Sequence, residues 1–97
     1  MTAAEKRVFE GIARAWSLST DERRALLGDG AAEQSDRLAL VAQCYDAAHL
    51  LLPIEDRAHA WFRRPNSALG GETALAVMTA TPDGLGRVKR YLLAETV

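Results

Sequence analysis

The chain has 97 residues, 12 basic and 13 acidic side chains, 48% hydrophobic residues and one cysteine, enough for one domain that buries only about 60–65% of its unfolded surface. Its near-zero net charge excludes a whole-chain basic footprint for nucleic acid; lone Cys44 excludes an internal disulfide framework and suits a reducing compartment. Met1-Thr2-Ala3-Ala4-Glu5-Lys6 lacks a signal-peptide core, and no apolar run approaches the roughly 20 residues that span a bilayer, so a cytoplasmic protein without a membrane segment is expected.

Residues 5–15 predict a first amphipathic helix, with Val8, Phe9, Ile12 and Trp16 at three- and four-residue spacing. Ser19-Thr20-Asp21-Glu22 is a capping box for a short second helix carrying Ala25, Leu26 and Leu27, which Gly28 is placed to end. Residues 29–34 form a polar gap and read as a connection. Residues 36–52 predict the longest helix, whose wide apolar face (Leu38, Val41, Tyr45, Ala48, Leu51) suits the central helix of a bundle. Pro53 ends it. Residues 54–62 form the next helix, with Ile54, Ala58, Trp61 and Phe62 inward and Arg63-Arg64 at its end, in accord with the macrodipole. Pro65, Asn66, Ser67 and Gly70-Gly71 then make a shaped turn. Thr73 caps a short helix with Leu75, Val77 and Met78. Thr81-Pro82-Asp83 begins the last helix, with Pro82 at its first position and Leu85, Val88, Tyr91 and Leu92 as its stripe; Arg87, Lys89 and Arg90 face outward. No run alternates as a strand would. The expected fold is all-α: a small single-domain helical bundle of about five to six helices.

No catalytic constellation emerges, so the chain is not expected to be an enzyme. Ser19, Ser35, Thr73 and Thr81 fall where helix caps are expected, and Cys44 lies within an apolar face as a small core residue. His49 and His59 sit ten residues apart on different predicted helices; metal ligation needs further ligands, and Cys44 is on another face from His49. No metal and no cofactor are expected. Gly70-Gly71 fits no phosphate-loop pattern. The basic clusters Arg63-Arg64 and Arg87-Lys89-Arg90 suit solvated helix ends, or a surface that meets an acidic or phosphate-bearing partner.

Trp61-Phe62-Arg63-Arg64-Pro65-Asn66-Ser67-Ala68-Leu69-Gly70-Gly71-Glu72-Thr73-Ala74-Leu75 resembles the W-L-x-x-P-N-x-A-L-G-G-x-T-P-L pattern of the Xre/MbcA/ParS toxin-binding domain. Gly84-Leu85-Gly86-Arg87-Val88-Lys89-Arg90-Tyr91-Leu92 is similar to that family's closing helix, and Ala74 departs from its usual proline. Residues 15–28 resemble the opening of the helix-turn-helix often found ahead of the domain. The resemblance divides the chain into a remnant helix-turn-helix-like part, residues 1–36, and a toxin-binding helical part, residues 37–97, forming one compact unit. It implies an antitoxin of a type II toxin–antitoxin pair whose partner is a RES-domain toxin that consumes NAD or transfers ADP-ribose from it. The antitoxin would block the toxin's NAD pocket, as a homodimer or a hetero-oligomer with the toxin. Carried over by position, the toxin contacts are Arg63, Arg64, Asn66, Leu69, Arg87, Arg90, Tyr91, Thr96 and Val97. The alternative is a DNA-binding autorepressor of the toxin–antitoxin operon; the short, acidic interval 29–34 argues against DNA binding by this chain alone.

Overall fold

The computed structural model describes residues 1–96. They form six α-helices: α1 (Ala3–Ala15), α2 (Thr20–Leu27), α3 (Ala31–Leu51), α4 (Glu55–Trp61), α5 (Ala74–Ala80) and α6 (Gly84–Thr96), with a 3-10 turn at Ser67–Leu69. No strand occurs among the described residues, and an isolated bridge joins Pro65 to Thr73. The fold is all-α, as the periodicities require. None of the described helices is long and apolar enough to cross a membrane.

Two capping boxes of the same design set the N-terminal helices. The Ser19 hydroxyl accepts from the Glu22 N–H at 3.1 Å while the Glu22 carboxylate accepts from the Ser19 N–H at 2.8 Å. Thr2 and Glu5 repeat the arrangement at 3.1 and 2.8 Å, which starts α1 at Ala3 rather than residue 5. Phe9, Ile12 and Ala13 of α1 and Leu26 and Leu27 of α2 are buried. Gly28 ends α2 with φ of 75°, a conformation that suits glycine. Val8 does not join the inner stripe; it is 50% exposed.

Helix α3 begins at Ala31, not Asp36, so most of the expected polar connection is helix. Ala, Glu and Gln are strong helix formers, Glu33 sits in the positive first turn, and the Gln34 side-chain amide donates to the Gly28 carbonyl at 2.9 Å. The connection shrinks to Gly28–Gly30, and α3 runs unbroken across residues 36 and 37. At 21 residues it is about 31 Å long, close to the 33 Å long axis of the molecule. It packs on α1, α2, α4 and, most extensively, α6, and so is the central helix. Arg37 is buried on it, donating through Nε to the Leu26 carbonyl and through Nη1 to the Pro82 carbonyl at 3.3 Å. This joins the end of α2 to the turn before α6.

The last helix begins at Gly84 rather than Pro82; Thr81 ends α5 instead of capping α6. Ser35, also expected to cap, lies inside α3. Gly84 explains the α5–α6 corner. A Cβ placed there would lie 1.9 Å from the Val77 carbonyl oxygen, so the two helices approach as closely as they do only because that atom is missing. Leu85, Val88 and Leu92 then point into the core.

Gly84→Ala is expected to destabilise at or beyond the upper end of the about 1–3 kcal/mol typical of overpacked sites. Gly11→Ala is the control: nothing lies within 4 Å of a Cβ there, and removing a mid-helix glycine should stabilise by about 0.5–1 kcal/mol. Urea unfolding followed by circular dichroism reads both.

Candidate functional site

The joint between α4 and α5 is shaped by its own backbone. The Asn66 N–H donates to the Glu72 carbonyl at 3.0 Å, and the Asn66 carbonyl accepts from Leu69 and Gly71, each at 2.9 Å. The Asn66 side chain accepts from the Ala68 N–H at 2.9 Å. Gly70 and Gly71 hold φ of 70° and 83°, and the Thr73 hydroxyl caps α5 by accepting from Ala76 at 3.0 Å. Leu69 is 2% exposed. The Asn66 side-chain oxygen and the Leu69 side chain are therefore spent on the turn itself, and Leu69 presents almost no area to a partner in this conformation.

Arg63 is also engaged internally. Its Nε donates to the Trp16 carbonyl at 3.1 Å and Nη2 to the Ser17 carbonyl at 2.9 Å, both orphan acceptors past the end of α1. The same guanidinium grips the Glu22 carboxylate at 2.9 and 3.2 Å. That grip, aided by the Ser19 N–H, holds the Glu22 carboxyl below its usual range. One arginine thus fastens the C-terminal half to both N-terminal helices.

The remaining predicted contacts fall mostly on α6. Arg87 and Arg90 are exposed and border a hollow of about 370 Å³ with Glu72, Ala76 and Asp83. Further along the same helix, half-buried Tyr91 stacks on Trp61 with centroids 6.2 Å apart and planes 9° apart. This pair borders a second hollow of about 220 Å³ with Leu51, Leu52 and Glu95. Steps of three and four residues put Gly84, Arg87, Tyr91 and Glu95 in one row, so both hollows lie along one flank of α6. Among the described residues neither Arg87 nor Arg90 has an ion-pair partner, in contrast to Arg63. Arg64 is exposed at the end of α4. The Thr96 hydroxyl donates back to the Leu93 carbonyl at 2.8 Å, and Val97 lies outside the described residues.

Cys44 is fully buried with Sγ 3.9 Å from the Leu85 carbonyl oxygen, and burial pushes its pKa up to about 12. It is a core residue, not a thiolate. His49 and His59, far apart in the sequence reading, meet here with ring centroids 5.2 Å apart beside Glu55. The signal that could have found them is the Glu55/His59 spacing of four on α4, one tight turn after His49.

Residues 46–95 match the family model described as the antitoxin Xre/MbcA/ParS C-terminal toxin-binding domain. Over 108 aligned residues the chain is 32% identical to the uncharacterized protein y4oB of Sinorhizobium fredii (strain NBRC 101917 / NGR234), covering 95% of this chain and 84% of that protein. No solved structure matches.

Arg63→Ala is expected to cost about 1–2 kcal/mol at neutral pH, the range for hydrogen bonds to charged groups less solvent screening; Arg63→Lys should not rescue it, since lysine lacks the fork. Because the Glu22 pKa is lowered on folding, its contribution is present above the ordinary value of 4.5 and is lost as pH falls through the folded value. The stability gap between wild type and Arg63→Ala should therefore narrow in acid, as urea titrations at neutral and acidic pH would read.

Proposed function

The chain belongs to the antitoxin Xre/MbcA/ParS C-terminal toxin-binding domain family, and from that premise we propose that it neutralises a RES-domain toxin of a type II toxin–antitoxin pair by covering the toxin's NAD pocket. The observation that carries this reading is the flank of α6, where Arg87 and Arg90 line one hollow and Tyr91, stacked on Trp61, lines the next. Arginine, tyrosine and tryptophan are the side chains that most often anchor protein interfaces. A pocket built for a dinucleotide offers acidic and polar groups that a guanidinium fork meets well. Arg64, exposed at the end of α4, is a further basic side chain available to a partner. Arg63, Asn66 and Leu69 act one step back, by fixing the joint that aims α4 and α5. Thr96 and Val97 would extend the contact beyond the last turn of α6.

The same reading assigns residues 1–36 a supporting role and residues 37–97 the contact. The N-terminal helices match the autorepressor alternative poorly. The helix that follows α2 is α3, whose body is packed on four other helices and whose first turns carry Glu33 and Asp36. Carboxylates there would repel a phosphate backbone. The working assembly is a hetero-oligomer with the toxin, in which the antitoxin itself performs no chemistry.

Co-expression with the toxin encoded beside this gene is expected to restore growth and yield a co-purifying complex. The double substitution Arg87→Ala, Arg90→Ala should weaken that complex by about 30-fold or more, the loss typical of interface hot spots, without changing the thermal midpoint of the free chain. Absence of both rescue and complex with the wild-type chain would reject the reading.

A further inference from the structure

Away from the α6 flank, a second cluster gathers where α3 turns into α4. We propose that His49, Glu55 and His59 form a binding site for a divalent transition-metal ion of the zinc class. His49 lies in the last turn of α3, and Glu55 and His59 share one face of α4 at a spacing of four. The turn around Pro53 folds the two helices so that one donor atom from each of the three residues lies within 4.8 Å of the others. His59 Nε2 is 3.8 Å from Glu55 Oε1.

The state of His49 carries the inference furthest. Its Nδ1 is 2.8 Å from the Tyr45 carbonyl oxygen, which can only accept, so the ring proton sits on Nδ1 and Nε2 of the neutral ring presents a lone pair. That Nε2 is buried and has no hydrogen-bond partner among the described residues. Leaving such an acceptor buried and unsatisfied is unfavourable, and a metal ion would satisfy it. Donation from the second ring nitrogen to a backbone carbonyl is also what orients metal-bound histidines. Tyr45 walls the site, its ring 4.2 Å from that of His49 and 5.8 Å from that of His59.

Two imidazoles and a carboxylate make a three-ligand set that leaves a fourth position open to water or to a partner's side chain. Imidazole favours zinc, copper, nickel or cobalt over calcium and magnesium. Tetrahedral bonds of about 2.0–2.1 Å require the donors to close to about 3.4 Å. Glu55 is exposed, so its carboxylate is free to rotate toward the two imidazoles.

The test uses the tag-free chain, stripped of metal by a chelator and titrated with Zn²⁺ by calorimetry. One equivalent should bind with a Kd of about 1 μM or tighter, and Co²⁺ should give the intense visible bands of a tetrahedral site. His59→Ala should weaken Zn²⁺ binding beyond the roughly 10–100-fold typical of losing an outer-shell partner. Glu55→Gln should weaken it while leaving the circular dichroism spectrum unchanged, which separates ligation from folding. No saturable Zn²⁺ binding by the folded wild-type chain, or equal binding by both variants, would overturn the proposal. Either result is read from Zn²⁺ binding alone, so failure of this proposal and failure of the toxin-neutralising reading are distinguishable.

Discussion

The contact between Trp16 and Phe62 holds this molecule together. Their ring centroids are 4.0 Å apart, and they are 2% and 0% exposed. Trp16 closes α1 and Phe62 closes α4, so one aromatic pair joins the N-terminal helices to the joint that the family match spans. Burying two such rings contributes several kcal/mol by area alone, a large share for a domain of this size. The Phe62 carbonyl also accepts from the Leu75 N–H at 3.0 Å, which seats the first turn of α5. Around this pair, four successive residues take four destinations. Trp61 stacks on α6, Phe62 enters the core, Arg63 reaches back to α1 and α2, and Arg64 faces solvent. Successive helical positions differ by about 100°, and the sequence at the end of α4 uses that rotation to fix three neighbours at once.

What the sequence made legible was local. The capping box at Ser19, the ends set by Gly28 and Pro53, the Thr73 cap and the paired-glycine turn are all encoded within four residues of where they act. Helix type and order followed from periodicity for the same reason. The failures have two physical sources. The first is boundaries set by partners distant in the chain. Gly84, the first residue of α6, has no room for a Cβ because the Val77 carbonyl lies there, and Arg37 is buried where carbonyls 11 and 45 residues away receive it. The second is exposure. Val8 and Ile54 fit an apolar stripe, yet they are 50% and 55% exposed, since which part of a stripe is covered depends on where the neighbouring helix crosses.

The arginines show why the site was harder to read than the fold. Arg63 and Arg64 are adjacent and chemically identical, so composition gives both the same expectation. Only the three-dimensional arrangement separates them, because the carbonyls left over past α1 and the Glu22 carboxylate lie on one side of the joint. A guanidinium committed to four acceptors must be stripped of them before it can serve a partner, and that cost removes most of what a new contact would gain. Among the described residues Arg87 and Arg90 have no such commitment. Selectivity between neighbouring arginines is thus decided by prior hydrogen bonding, not by position in the motif.

Helix α4 connects these observations. Seven residues are too few to hold a helix by propensity, since nucleation alone is unfavourable at that length. It is therefore held by its ends and by Ala58, buried at its middle. At the C-terminal end, Phe62 and Arg63 tie it to α1 and α2. Glu55 in its first turn and His59 in its last turn face His49 on α3. Trp61 leaves the same helix toward Tyr91, so the orientation of α4 sets one wall of the hollow beside the α6 flank. An ion bound by His49, Glu55 and His59 would tie α4 to the last turn of α3, and its binding free energy would add to the stability of that junction.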